Sequence, residues 1–164
     1  MTLKNKYKYI LIFALIIISD QLSKLWVKAT FADDQYKKIT VINKFFYIRY
    51  VENKGAVWGL FSDPSYSFLP KLITGLSVVA LGVVIYFFMK MKPECTLELT
   101  SLSFIIGGAI GNITDRLMQG FVVDFLDVLI GTYHWPTFNV ADSFISVGVV
   151  ILIISIWRGK CTQF

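Results

Sequence analysis

Residues 138–157 read FNVADSFISVGVVILIISIW, which sets Asn139 and Asp142 at the mouth of an apolar run. At about 1.5 Å per residue, a helix from Ala141 to Trp157 is about 25 Å long. That covers most of a bilayer core of about 30 Å. A carboxylate carried into hydrocarbon costs roughly 2.5–3.5 kcal/mol on insertion scales, and it stands there for a reason. The stretch therefore predicts a membrane helix with a chemical group at its threshold, and the rest of the chain has to supply the partners.

Three more segments have the same character: Tyr9 to Val27, Leu69 to Met89, and Leu97 to Leu117. Of the 164 residues, 55% are hydrophobic and 16% charged, with a mean hydropathy of +0.63. Soluble domains carry about 25% charged residues, so the composition points to a single membrane domain over residues 1–164. Its outer excursions are 28–68 and 118–140. The net charge of +5 forms no long basic run, which argues against a nucleic-acid partner.

Lys/Arg placement sets the orientation. Lys4, Lys6 and Lys8 precede the first span, Lys90 and Lys92 follow the second, and Arg158 and Lys160 follow the fourth. These clusters share one side, which places both termini in the cytoplasm. The first excursion opposes this with six basic residues, but Asp33, Asp34, Glu52 and Asp63 dilute them. The N-terminus lacks a small-residue cleavage site, so the first span is expected to be retained. Cys95 and Cys161 both fall on the cytoplasmic side. A disulfide is therefore not expected there, nor, between thiols so distant in sequence, a metal site.

In the first excursion, ITVINKFFYIRYV (39–51) alternates β-branched and aromatic residues and reads as a strand or hairpin. Gly55 then allows a sharp turn, and Trp58, Leu60 and Phe61 suit a membrane interface. The second excursion is broken by Gly120, Gly131 and Pro136, and reads as strand and turn.

Five groups of polar residues, far apart in sequence, fall near one depth. They are Asp20, Ser23 and Lys24; Asn53; Asn112, Asp115 and Arg116; Asp124 and Asp127; and Asn139 and Asp142. Structural roles are available for most. Asp20 and Lys24, spaced i,i+4, can neutralise each other. Asp115 and Arg116 can form an interfacial ion pair with the arginine reaching toward head groups. Gly107 and Gly111 have the spacing of a close helix-packing face. Asn139 or Asp142 can cap the last helix. Asp127 reads as a solvated neighbour of Asp124, and His134, the only histidine, as incidental. Trp26, Trp58, Trp135 and Trp157 fall near span ends, as in an aromatic belt.

Asp124 has no such role, because in VVDF it is flanked by apolar residues. If the second excursion folds back against span four, Asp124 faces Asp142. Two carboxylates about 3 Å apart cannot both ionise and share a proton. One then acts as base on a water while the other polarises a carbonyl, as in aspartic peptidases. No histidine lies near a serine or cysteine, and Ser23-Lys24 lacks the spacing of a Ser-Lys pair, which leaves nucleophilic catalysis unsupported.

The stretches DQLSK (20–24), NKGAVWG (53–59), GGAIGNITDR (107–116), VVDF (122–125) and FNVADS (138–143) together resemble the bacterial lipoprotein signal peptidases, or signal peptidases II. The resemblance covers essentially the whole chain. It implies four transmembrane helices with a small extracytoplasmic β-sheet cradle and a short interfacial helix, in the bacterial cytoplasmic (inner) membrane. It implies an aspartic endopeptidase that removes the signal peptide of prolipoproteins just before a diacylglyceryl-modified cysteine, near the outer leaflet. Asp124 and Asp142 would be its catalytic pair. Asn112, Asp115, Arg116 and Asn139 would shape the site, Asp20 and Lys24 would support it, and Asn53 and Gly55 would belong to a substrate-covering loop. The implied protein needs no metal or other cofactor, contacts membrane lipids, and is blocked by globomycin-type cyclic peptides. Nothing in the chain requires more than a monomer.

Two other readings stay open on residues alone. One is a metal-dependent membrane hydrolase with Asp115, Asp124 and Asp142 as oxygen ligands of Mg²⁺ or Ca²⁺. The other is a carboxylate-based ion or proton pathway, which needs polar groups through the full depth. On the cytoplasmic side Glu98 is the only acidic residue within a span. A non-catalytic scaffold is the residual case.

Overall fold

The computed structural model describes residues 6–34, 36–55, 68–159 and 161. The apolar runs form α1 (Tyr7–Thr30), α2 (Leu69–Lys90), α3 (Thr96–Gln119) and α4 (Val140–Trp157). All four are long and apolar enough to cross a membrane, and each encloses its expected span. The two excursions form β1 (Lys38–Ile42), β2 (Phe46–Asn53), β3 (Val122–Ile130) and β4 (Tyr133–His134). They pair antiparallel in the order β1-β2-β3-β4. The first excursion, expected as a strand or hairpin, contains the antiparallel pair β1–β2, and the strand and turn expected in the second are present. The described residues hold no short interfacial helix. The stretch expected at the interface, with Trp58, Leu60 and Phe61, lies outside them.

Helix α3 is the hub, packing against α1, α2 and α4. Half of its residues are buried, whereas almost none of α2's are, and α2 offers Leu72, Leu76, Val79 and Val83 outward, as suits contact with lipid. Small residues make the close packing possible. A Cβ on Gly107 would stand 3.0 Å from the Phe13 carbonyl oxygen of α1, and one on Gly108 would stand 2.4 Å from the Ala141 carbonyl oxygen of α4. The expected Gly107–Gly111 face thus packs on α1, with Gly111 against Asp20, while Gly108 beside it packs on α4. Helix α3 stops at Gly120, which turns left-handed at φ 82° and donates to the Arg116 carbonyl at 3.0 Å, a conformation glycine adopts without strain.

The sheet sits on the end of α1 through Val27, Phe31, Val123 and Phe125. The Phe138 carbonyl accepts from the backbone N–H groups of Phe125 at 3.0 Å and Leu126 at 2.8 Å. Those bonds draw the strand that carries Asp124 against the start of α4, so the second excursion folds back, which is the condition for Asp124 to approach Asp142.

At the other end of the bundle, Lys6 Nζ donates to the carbonyls of Phe88 and Met89 and so ties the start of α1 to the end of α2. Here the sequence expectation fails for the two cysteines. Cys95 and Cys161 are bonded as a disulfide, with Cα atoms 5.7 Å apart. Their separation of 66 residues conceals that Cys95 begins α3 and Cys161 follows α4, two helices packed side by side.

Candidate active site

The expected polar groups converge where α1, α3, α4 and β3 meet. Asp20 and Lys24, one turn apart on α1, are both fully buried, and Nζ of Lys24 lies 2.7 Å from Oδ2 of Asp20. The same ammonium reaches Oδ2 of Asp115 at 3.0 Å and donates to Oδ1 of Asn112 at 3.0 Å. Asp115 is therefore paired with Lys24 on another helix, not with Arg116 as the sequence allowed. Its Oδ2 also accepts from the Val123 backbone N–H at 3.1 Å, which fixes the start of β3. A buried charge of this kind is tolerable only when paired and hydrogen-bonded throughout, and every member here is.

Asn112 carries the network forward, donating from Nδ2 to Oδ1 of Asp142 at 2.7 Å. Asn139 is the N-cap of α4. Its Oδ1 accepts from the Asp142 N–H at 2.9 Å, and Oδ2 of Asp142 accepts from the Asn139 N–H at 3.3 Å. This reciprocal box means that capping and site-building are one arrangement. Asn139 Nδ2 also donates to Oδ1 of Asp124 at 2.8 Å and to Oδ1 of Asn112 at 3.1 Å.

Asp124 is buried on β3, opposite Val51 in the register. Its second oxygen accepts from Asn53 Nδ2 at 2.9 Å, while Asn53 Oδ1 accepts from the Gly55 N–H at 2.8 Å. Burial pushes the Asp124 carboxyl up to about 6; the charge of Asp142 adds to the rise, and the hydrogen bonds from Asn53 and Asn139 oppose it. Arg116 is half-buried at the same level. It has Asp142, Asp124 and Asp115 within electrostatic reach, and among the described residues it makes no direct ion pair.

The structure corrects two further expectations. Asp127 is not a solvated neighbour of Asp124. It is 1% exposed and pairs with Arg49 at 3.3 Å and His134 at 2.7 Å. Side chains alternate along a strand, so positions 124 and 127 of β3 face opposite ways. His134 is accordingly a partner of Asp127 rather than incidental. Ser23 is turned back onto its own helix, donating to the Asp20 carbonyl at 2.8 Å. Sequence reasoning missed Gln21, whose amide bridges Asp20 at 3.2 Å and Asp115 at 3.1 Å. Its position inside DQLSK was the available signal. It also missed Arg49 and its partner Thr137, which nothing local in the sequence marks.

The arrangement offers two carboxylates, each held by amide donors and joined through one asparagine, beside a guanidinium. Asp115 is engaged by Lys24, Gln21 and a backbone N–H, which leaves it poorly placed as a ligand for a metal shared with Asp124 and Asp142. For an ion path, the polar groups at this level end with α3's Gly111, and the next buried carboxylate, Glu98, lies at the far end of that helix.

Comparison with known proteins agrees with this architecture. The sequence model of the Signal peptidase (SPase) II family matches residues 12–158. The chain is 44% identical over 142 residues to a lipoprotein signal peptidase of Geobacter sulfurreducens, covering 87% of this chain and 86% of that protein. It is 41% identical over 151 residues to one of Francisella tularensis subsp. novicida, covering 92% of each. In structure it is similar to a bacterial membrane enzyme solved by the in meso method at 2.3 Å resolution. That match has a TM-score of 0.79 and 31% identity, over 96% of this chain and 93% of that one. The chain belongs to the signal peptidase II family.

Proposed function

We propose that the protein removes the signal peptide of prolipoproteins by aspartic acid–base chemistry, cutting just before a lipid-modified cysteine. The observation that carries the aspartic assignment is Asn139, which contacts both Asp124 and Asp142 and fixes their relation.

In this reading Asp142, an acceptor for Asn112 and the Asn139 N–H, takes a proton from the attacking water. Asp124, whose carboxyl burial pushes up to about 6, carries the shared proton toward the scissile carbonyl oxygen. Water adds to the carbonyl carbon and a gem-diol forms. The amide nitrogen then accepts the proton held by Asp142 as the C–N bond breaks, and Asp124 takes back a proton from the gem-diol, freeing a carboxyl terminus on the signal peptide and an amino group on the cysteine. Arg116 steadies the negative charge that develops.

The same reading places the protein in a bacterial cytoplasmic membrane with both termini cytoplasmic and the site near the outer leaflet. Acyl chains on the substrate cysteine stay in the bilayer and hold the scissile bond at that level. Asn53 and Gly55 lead into the substrate-covering segment, globomycin-type cyclic peptides compete for the carboxylate pair, and the working unit is a monomer.

The test is cleavage of one prolipoprotein in detergent, with and without its diacylglyceryl group, and with and without EDTA. Cleavage of the lipidated form alone, undiminished by EDTA, supports the proposal. Loss of activity with EDTA transfers the chemistry to a metal, and equal cleavage of both substrates removes the lipid from recognition.

A further inference from the structure

The end of the bundle remote from the carboxylate pair holds a second group of reactive side chains. Cys95 is the N-cap of α3, Glu98 lies one turn on, and Cys161 follows α4. Both sulfurs and a Glu98 carboxylate oxygen lie within 4.8 Å of one another. Cys95 and Glu98 are i,i+3, so they share one helix face. Glu98 is 6% exposed and accepts a hydrogen bond from Ser155 of α4. Among the described residues no lysine, arginine or histidine pairs with it. A buried carboxylate without a cation is costly, and the two sulfur atoms beside it are soft donors.

We propose that the reduced protein binds one thiophilic divalent cation of the zinc type through Cys95, Cys161 and Glu98, and that the disulfide is the closed, metal-free form of the same site. Zn²⁺ takes sulfur at about 2.3 Å and carboxylate oxygen at about 2.0–2.2 Å in a tetrahedron. Its donor atoms then stand roughly 3.3–3.8 Å apart, which the present spacing reaches once the sulfurs part. Two electrons and two protons from a dithiol, itself oxidised to a disulfide, convert the Cys95–Cys161 bond to two thiols. Coordination displaces both thiol protons, and the cation with its two thiolates and one carboxylate carries a net charge of −1. The fourth position is left to water. A cleft of about 410 Å³ bordered by Met91, Leu152 and Ser155 reaches Glu98 and Cys161, so the site has an approach. The negative end product sits well at the N-terminus of α3, where the helix dipole favours negative charge.

The experiment is titration of the full-length protein in detergent micelles with Co²⁺ and then Zn²⁺, after reduction by a dithiol and its removal under inert gas. The expected result is one Co²⁺ per chain with a thiolate-to-cobalt charge-transfer band, displaced by Zn²⁺. The band is expected to be absent from the oxidised protein and from Cys95→Ser and Cys161→Ser. Glu98→Gln should keep a sulfur band but bind more weakly. No band in the reduced protein, or a band that survives in the oxidised protein or in either serine variant, overturns the proposal. Should a variant fail to fold, alkylation of the reduced native chain decides. Zn²⁺ must slow modification of both cysteines, and unchanged rates overturn the site.

Discussion

Asn139 donates to Asp124 at 2.8 Å from the residue that caps the helix bearing Asp142. One side chain therefore positions a strand carboxylate and a helix carboxylate together. Asn139→Ala should cost about 1 kcal/mol for the lost cap. It should also lower kcat by on the order of 10²-fold or more, because acid–base groups contribute about 10²–10⁴ when correctly placed. Thermal unfolding and cleavage kinetics on one preparation separate the two effects. A kcat close to that of the native protein would show that Asn139 is only a cap.

The two carboxylates should be individually indispensable, and their neighbour should not be. Asp124→Asn and Asp142→Asn are each expected to abolish cleavage in folded protein. Asp127→Asn, which disturbs the separate Arg49–His134 cluster, should lower stability but leave kcat within about tenfold, as it holds no acid–base role. Cleavage by either of the first two would remove the aspartic assignment.

Asp124 sets the expected pH response. Its carboxyl is raised to about 6, so in the free enzyme its proton is lost as pH rises through that value. The profile of kcat/KM, which reports the free enzyme, should fall on that alkaline limb. Asn53 donates to the ionised carboxylate. Asn53→Ala removes a bond that favours the charged form, raises the pKa further, and should move the limb to higher pH. A shift to lower pH would contradict this account.

Lys24 is the only cation within ion-pair distance of Asp20 and Asp115 among the described residues. Lys24→Met leaves two buried carboxylates without it, a loss of about 3–5 kcal/mol. Exposed Lys37→Met should change stability by less than about 0.5 kcal/mol. Unfolding measured side by side in the same detergent makes the comparison.

Close packing at Gly108 gives a steric prediction. A Cβ there meets the Ala141 carbonyl oxygen at 2.4 Å, and Gly108→Ala should cost about 1–3 kcal/mol by overpacking. It should reduce cleavage as well, since Ala141 adjoins Asp142. Gly82→Ala on α2 meets nothing within 4 Å, and should be neutral or stabilising by about 0.5–1 kcal/mol. Equal effects at the two positions would refute the packing argument.

The spans, the hairpin and the convergence of polar groups were legible in the sequence because each rests on local pattern: apolar length, alternation, or a charge where hydrocarbon should be. Asp124 stood out for the same reason. Pairings made across the fold were not legible. Lys24 with Asp115 and Arg49 with Asp127 depend on how helices and strands are set against one another. Asp127 was misread because its burial comes from tertiary packing, and its strand neighbours do not reveal it. The cysteines were misjudged because cellular compartment was used where proximity was required.

Asp20 accepts from the Ala141 backbone N–H at 2.9 Å across the gap left by Gly111, where any Cβ would lie 2.5 Å from the Asp20 carboxylate. Positions 20, 111 and 141 are thus coupled: a larger residue at 111 demands a shorter one at 20, which in turn releases the first turn of α4. Transplanting the carboxylate pair onto another helical scaffold would require this trio to travel with it, although the Asp124 carboxylate takes its hydrogen bonds from Asn53 and Asn139.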